Sequence, residues 1–154
     1  MNILKAELTA KALMQQHGIG DWVFVWGEAK NYFGMCYWDK KTIMLSRPLT
    51  ELNDEKFVLN TILHEIAHAL APRTEHHGKV WREIAVRLGC EPKRCYSPEV
   101  LRPRAIYTTT CTFCGRTNQK NRKPKSGSAC GVCCDKYNHG RYAKKYKLTY
   151  KRNV

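Results

Sequence analysis

The chain has 154 residues, 43% of them hydrophobic, which suffices for one core and a small appendage. It contains no apolar run of 18 residues, which excludes a transmembrane helix, and Met1 to Gly18 carries Lys5, Glu7, Lys11, Gln15 and Gln16, which reads as no signal peptide. The net charge of +14 is lopsided: residues 1–101 hold 13 Lys+Arg against 12 Asp+Glu, while residues 102–154 hold 14 against the single Asp135.

That asymmetry predicts two domains, a near-neutral body over 1–101 and a basic tail over 102–154, with catalysis in the first and polyanion binding in the second. A cytoplasmic, reducing setting is expected. There the eight cysteines point to metal ligation before disulfides.

Leu4, Leu8, Ala12 and Leu13 recur at helical spacing and Gly18 stands where a helix would stop, predicting a helix over residues 3–16. After a turn at Gly20-Asp21, Trp22 to Trp26 alternates aromatics with valines, the pattern of a well-buried strand. Tyr32 to Trp38 and Thr42 to Ser46 read as two more strands around a turn at Asp39-Lys40-Lys41. A small antiparallel sheet is expected, with Tyr32, Phe33, Tyr37 and Trp38 in the core and Cys36 a small buried hydrophobe. Pro48 stops the third strand. Asn53 or Thr50 can cap the next helix, from about Asp54 to Ala71, which Pro72 ends.

Inside that helix lies Leu63-His64-Glu65-Ile66-Ala67-His68, an HExxH pattern. Residues four apart share a helix face, so His64 and His68 aim at one point that can hold a metal, with Glu65 beside it to take a proton from a metal-bound water. Burying two imidazoles and a carboxylate in an apolar helix is costly unless a cation offsets it. Catalytic zinc takes three protein ligands and keeps a fourth position for water, so a third donor is required. Metzincin spacing would need Gly at 71 and His at 74, where Ala71 and Thr74 stand. His77 is the favoured donor, because it precedes Val80 and Trp81 on the core side of an amphipathic helix closed by Gly89; His76 and Glu83 are the alternatives.

The runs Ile43 to Leu49, Asn60 to Leu70, His77-Gly78-Lys79-Val80-Trp81 and Leu88-Gly89-Cys90 together resemble the SprT-like family, which includes bacterial SprT proteins and the catalytic domain of Spartan, the protease of DNA–protein crosslink repair. The resemblance implies a zinc protease with His64, His68 and His77 as ligands and Glu65 as catalytic acid/base. Lys79 departs from it, standing where Pro is frequent. Zinc would acidify a water to a pKa of roughly 7 and polarise the scissile carbonyl, and Glu65 would carry the proton to the leaving amine. The sheet edge beside the helix is expected to take substrate as an added strand.

Arg94 to Arg104, with Pro98 and Pro103, reads as a linker. Beyond it Cys111-Thr112-Phe113-Cys114 and Cys130-Gly131-Val132-Cys133 form two CxxC knuckles at the spacing of a four-cysteine zinc ribbon, a second and structural zinc site. Cys134 is the alternative to Cys133; Cys90 and Cys95 are unassigned. The stretch Asn138-His139-Gly140-Arg141-Tyr142 is similar to the end of the ribbon in bacterial SprT-like proteins. Arg116, Lys120, Arg122, Lys123, Lys125, Arg141, Tyr142, Lys144 and Lys145 supply cations and a ring for nucleic acid, with unpaired DNA the expected form. Tyr146, Leu148 and Tyr150 alternate as a strand, and Arg116 to Ser128 reads as solvated and flexible.

The fold expected is thus α+β: a small antiparallel three-stranded sheet packed on the HExxH helix and its neighbours, zincin-like, followed by a small β zinc ribbon. The leading reading is a monomeric zinc metallopeptidase that cleaves proteins bound or crosslinked to DNA and acts away from membranes. The alternatives are a nucleic-acid-binding adaptor with a non-catalytic HExxH zinc and a metal-dependent hydrolase of other bonds.

Overall fold

In the computed structural model, which describes residues 1–93 and 100–153, the chain divides into two units, Met1–Pro103 and Arg104–Val154. Cys95 and most of the expected linker lie outside the described residues.

The first unit begins with α1, Ile3–Gln16, capped by the Asn2 side chain, which accepts from the Lys5 N–H. The helix stands where the leucine spacing puts it, but it buries another face. Ala6, Ala10 and Met14 are buried, whereas Leu4 and Leu8 are more than half exposed. Small side chains let α1 lie close against the long helix α3, Glu55–Leu70, and packing of two helices selects that fit over hydrophobicity alone.

Three strands follow: β1, Val23–Gly27; β2, Gly34–Tyr37; and β3, Thr42–Ser46. The expectation of an all-antiparallel sheet is corrected, because the order is β1-β3-β2, with β1 parallel and β2 antiparallel to β3. Ile43 to Ser46 is buried throughout, so β3 takes the centre and needs a partner on each edge. The chain reverses between β1 and β2 without pairing them, and β1 then runs with β3. As an edge strand β1 is half-exposed rather than well buried, and only Phe24 and Trp26 face the core. Lys41 completes the β2–β3 connection in the left-handed region after a 3-10 turn at Trp38–Lys40.

A short helix that the strand-breaking reading of Pro48 misses, α2, Arg47–Leu52, is capped by Ser46. Neither Asn53 nor Thr50 caps α3; Asp54 does, accepting from the Phe57 N–H. Asn53 instead clamps the backbone of Leu101, donating 2.8 Å to its carbonyl and accepting 2.9 Å from its N–H. With Val100 buried near Phe33 and Leu49, residues 100–101 belong to the first unit rather than to a free linker. Helix α4, Lys79–Arg87, packs Trp81, Ile84 and Ala85 against Leu63 and Ala67 of α3. So α3 is the common wall: Val58, Ile62 and Ile66 face α1 and the sheet, and Leu63 and Ala67 face α4.

The second unit is a three-stranded antiparallel sheet, β4 (Tyr107–Cys111), β5 (Thr117–Lys120) and β6 (Leu148–Arg152), in the order β5-β4-β6, with one helix, α5, Gly131–Asn138. To the small β ribbon that was expected the structure adds a helix. Cys130 ends an extended segment and N-caps α5, so the second knuckle opens a helix whose left-handed exit is His139 and Gly140. Part of the stretch expected to be flexible is strand β5, fully exposed. Its core is little more than Cys111, Cys130, Cys133, Cys134 and Tyr146.

The packing of α1 predicts opposite outcomes for two substitutions. Ala10→Leu should destabilise the protein by about 1–3 kcal/mol through overpacking, and Leu8→Ala should change stability by less than about 0.5 kcal/mol. Urea unfolding of both variants checks this; the reverse ranking would put the leucine face in the core.

Candidate metal centres

Helix α3 presents His64 and His68 one turn apart, and His77 arrives from beyond a 3-10 turn at Arg73–Glu75. The three Nε2 atoms form a nearly equilateral triangle, 3.2 Å between His64 and His68, 3.1 Å between His68 and His77, and 3.1 Å between His64 and His77. Hydrogen bonding cannot satisfy all three sides. Each neutral nitrogen is either a donor or an acceptor, so among three at least one pair meets like with like. Three lone pairs converging on a point are what a divalent cation satisfies, and Zn–N bonds of 2.0–2.1 Å at near-tetrahedral angles separate nitrogens by about 3.3 Å. Burial, reinforced by the neighbouring imidazoles, pushes His64 down to about 3 and His68 down to about 4. At neutral pH both rings are uncharged, the form that binds metal.

His76 does not join the triangle. It lies exposed on the cleft wall with φ +47°. Glu83 is exposed on α4, 4.0 Å from Lys79. The loop carrying His77 is fastened by Glu75, whose carboxylate accepts 2.8 Å from the Val80 N–H and so caps α4, where Gly78 has no side chain to do it.

Glu65 is 5% exposed, and burial raises its carboxyl to about 8 against a hydrogen bond from the Cys36 backbone that favours ionisation. It reaches its place because β2 has no side chain at Gly34: a Cβ there would stand 2.7 Å from Glu65 Cγ and Oε1. Around Glu65 and the triad opens a cleft of about 580 Å³, walled by Tyr32 to Lys40 on one side and by α3 and the Pro72–His77 loop on the other. Phe33 is buried as expected, but Tyr32 and Tyr37 are exposed on the cleft wall. Cys36 is half-buried between this wall and the core. Trp38 Nε1 donates 3.0 Å to the His68 carbonyl, and Arg73 pairs with Asp39 at 2.5 Å, joining the two walls at one end.

Trp81, read from sequence only as core, touches all three imidazoles. Its ring centroid lies 4.8, 5.2 and 4.6 Å from those of His64, His68 and His77, stacked on His68 and tilted steeply to the others. Fully buried, it excludes water from behind the triad and limits the rotation of its rings.

In the second unit Cys111, Cys114, Cys130 and Cys133 bring their sulfurs within 4.8 Å of one another, with Cys111–Cys133 at 3.9 Å and Cys114–Cys130 at 4.0 Å. Tetrahedral Zn–S bonds of 2.3 Å place sulfurs about 3.8 Å apart, so the set fits zinc. The Arg116 backbone N–H helps hold the Cys114 thiol down at about 7, toward the ligating thiolate. Cys134 is buried beside the cluster but outside it, and Cys90 is buried against Asn60.

The basic residues picked out from sequence, Arg116, Lys120, Arg122, Lys123, Lys125, Arg141, Lys144 and Lys145, are all exposed, as is Tyr142. Tyr137 stands among the rings that the sequence interleaves with the cations, but Phe113, its partner in a ring platform beside the knuckles, was missed. Phe113 and Tyr137, each about half exposed, meet edge to face at 5.7 Å over the buried Tyr146, with Lys136 and Lys145 against the rings. A ring midway in a CxxC knuckle was the available signal. Among the described residues no helix is long and apolar enough to cross a membrane.

A family model described as the SprT-like family matches residues 6–100. Protein SprT of Pseudomonas aeruginosa (strain PAO1) is 31% identical over 87 residues, 51% of this chain and 53% of that protein, and Protein SprT of Pseudomonas paraeruginosa matches equally. An uncharacterized protein of Mycoplasma pneumoniae is 55% identical over 38 residues, 25% of this chain and 10% of that protein. The chain thus spans about half the length of these SprT relatives. No solved structure matches it significantly.

The triangle and the cysteine cluster together predict that the purified chain carries two zinc ions, that His77→Ala carries one, and that His76→Ala keeps two. Elemental analysis of the three proteins decides the third ligand; equal loss in both variants would exclude the geometry above.

Proposed function

This chain belongs to the SprT-like family, and from that premise we propose that it is a zinc-dependent metalloendopeptidase cleaving proteins bound or crosslinked to DNA, brought to them by its basic four-cysteine unit. The observation that carries the reading is the joint placement of three converging imidazoles and a buried carboxylate on the wall of an open cleft.

Zinc held by His64, His68 and His77 supplies Lewis acidity for a carbonyl and for a water. The remaining work falls to the chain. Glu65 accepts a proton from the attacking water at its carboxylate and returns it to the leaving amine, from a buried recess that opens on the cleft beside the three imidazoles. Trp81 keeps solvent from the rear of the site. The cleft-side edge of β2 receives the substrate backbone as an added strand, which reads main chain and tolerates many sequences.

The second unit offers exposed cations for phosphates, Lys136 and Lys145 among them lying against the rings, and the Phe113–Tyr137 platform for unstacked bases, the combination suited to unpaired DNA. A basic unit that holds the enzyme on DNA raises the local concentration of proteins bound there, so a cleft of weak sequence preference still acts selectively. The protein is proposed to work as a cytoplasmic monomer.

Glu65→Gln should keep both zinc ions and full DNA affinity while losing at least about 100-fold in the rate of cleaving a DNA-bound protein. The assay is run with and without single-stranded DNA; a parent protein as inert as the variant, with both binding DNA, would leave the adaptor reading in its place. DNA binding itself should weaken more than about tenfold between roughly 50 and 200 mM salt, and a flat response in fluorescence anisotropy would count against phosphate contacts.

A further inference from the structure

Strand β2 is the edge of its sheet nearest the metal-binding triangle, and its hydrogen-bonding pattern fixes which of its backbone groups face the cleft. The Ser46 N–H donates to the Phe33 carbonyl, and the register pairs Met35 with Met44 and Tyr37 with Thr42. In an antiparallel pair hydrogen-bonded residues alternate, so Phe33, Met35 and Tyr37 spend their backbone groups on β3, whereas Gly34 and Cys36 turn theirs toward the cleft, where the Cys36 N–H is held by the Glu65 carboxylate and the Gly34 groups and the Cys36 carbonyl are left to pair with an added strand. Glu65 lies against this edge at Gly34. A polypeptide paired here therefore runs directly past the carboxylate.

The two faces of the sheet differ. Phe24, Trp26, Ile43, Leu45 and Cys36 pack into the helical core. On the opposite face the register sets Val25, Met44 and Met35 in one row across the three strands and Val23, Thr42 and Tyr37 in the next. Val23, Val25, Met35 and Tyr37 belong to none of the unit's hydrophobic clusters and stay between about 37% and 55% exposed. Met44 packs against Gly27, where a Cβ would stand 2.5 Å from its sulfur. Each row ends at the cleft, since Met35 and Tyr37 also line it.

We propose that Met35 and Tyr37 set the sequence preference of the cleft: a substrate bound as a fourth strand extends the rows that end in these two apolar side chains with its own outward side chains, so extended segments with apolar or aromatic residues at alternate positions are favoured. This rests on the peptidase reading above. The physical basis is the cross-strand pair: directly opposed side chains on one face of a sheet contact each other, and a polar side chain beside Met35 would leave the thioether facing water. Segments of that pattern are buried in folded proteins, which restricts the enzyme to unfolded or locally opened substrates.

The test uses two synthetic peptides of one length, carrying Leu or Ser at every second position, with the full zinc-loaded chain. The parent should prefer the Leu peptide by about tenfold in kcat/KM, and in Met35→Thr/Tyr37→Thr the ratio should fall to near one through KM, with zinc content and thermal stability unchanged. Thr keeps the strand. A ratio that survives the double substitution, or that vanishes only because zinc is lost, overturns the proposal. Binding of both peptides to Glu65→Gln, followed by anisotropy, separates the two readings. Tighter binding of the Leu peptide that depends on Met35 and Tyr37, with no turnover by the parent, sinks the peptidase reading and keeps this one. Equal binding of both peptides, undiminished binding of a Leu peptide N-methylated at alternate amides, or sedimentation showing that the double substitution merely splits a dimer would each overturn it.

Discussion

Three imidazole nitrogens held about one van der Waals contact apart are a repulsive or frustrated arrangement on their own, and the first unit is built to impose it. Two come from α3, whose remaining faces are buried against α1, the sheet and α4, so the helix has no freedom to turn them away. The third comes from a loop tied down by Glu75 at its exit and by the Arg73–Asp39 pair at its entrance. Trp81 then closes the rear. Such an arrangement is bought with core packing, because each buried imidazole and the buried Glu65 cost desolvation that only a cation or hydrogen bonds offset. The same recess drives His64 and His68 toward neutrality and Glu65 toward protonation, and a positive charge brought among them would favour the carboxylate.

What could be read without coordinates follows the range of the interaction concerned. His64, Glu65 and His68 are fixed relative to each other by helix geometry, and the cysteine knuckles by covalent spacing, so both patterns are visible in the bare chain. His77 required a guess about which side of α4 faces α3, and the apolar period of that helix was enough to make it. Gly34 and Trp81 were out of reach as site residues. A glycine in a strand gives no sign that a carboxylate will stand where its side chain would be, and a tryptophan in a helix looks the same whether it backs a core or a metal centre.

The fold errors share a cause. Leu4 and Leu8 looked like the buried face of α1 because transfer free energy favours leucine, yet close approach of two helices favours Ala6 and Ala10. The sheet looked antiparallel throughout because strands on short connections usually pair that way, yet the apolar run of β3 claimed the centre and β1 runs parallel to it. In the second unit the cysteine spacing was plain, but nothing local distinguished a knuckle that opens a helix from one that turns a hairpin. There the core is tiny, so a metal held by the four cysteines would supply much of the order, a regime in which propensity says little about the fold.

The placement of β2 gives the first unit its chemical logic. One strand does three things at once: the bare backbone at Gly34 admits Glu65, the Cys36 N–H holds the Glu65 carboxylate while the Gly34 groups face the cleft, and the side chains of Met35 and Tyr37 end the two rows of the outer face. Backbone pairing is indifferent to sequence, and an apolar row discriminates only coarsely, because a methylene in a hydrophobic contact is worth little compared with an unmet polar group. A cleft so constructed would be a hazard to any unfolded chain in reach. Restricting it by location rather than by recognition would resolve that hazard, and a chain whose net positive charge lies almost wholly beyond residue 101, +13 of +14, has the charge distribution such a restriction needs.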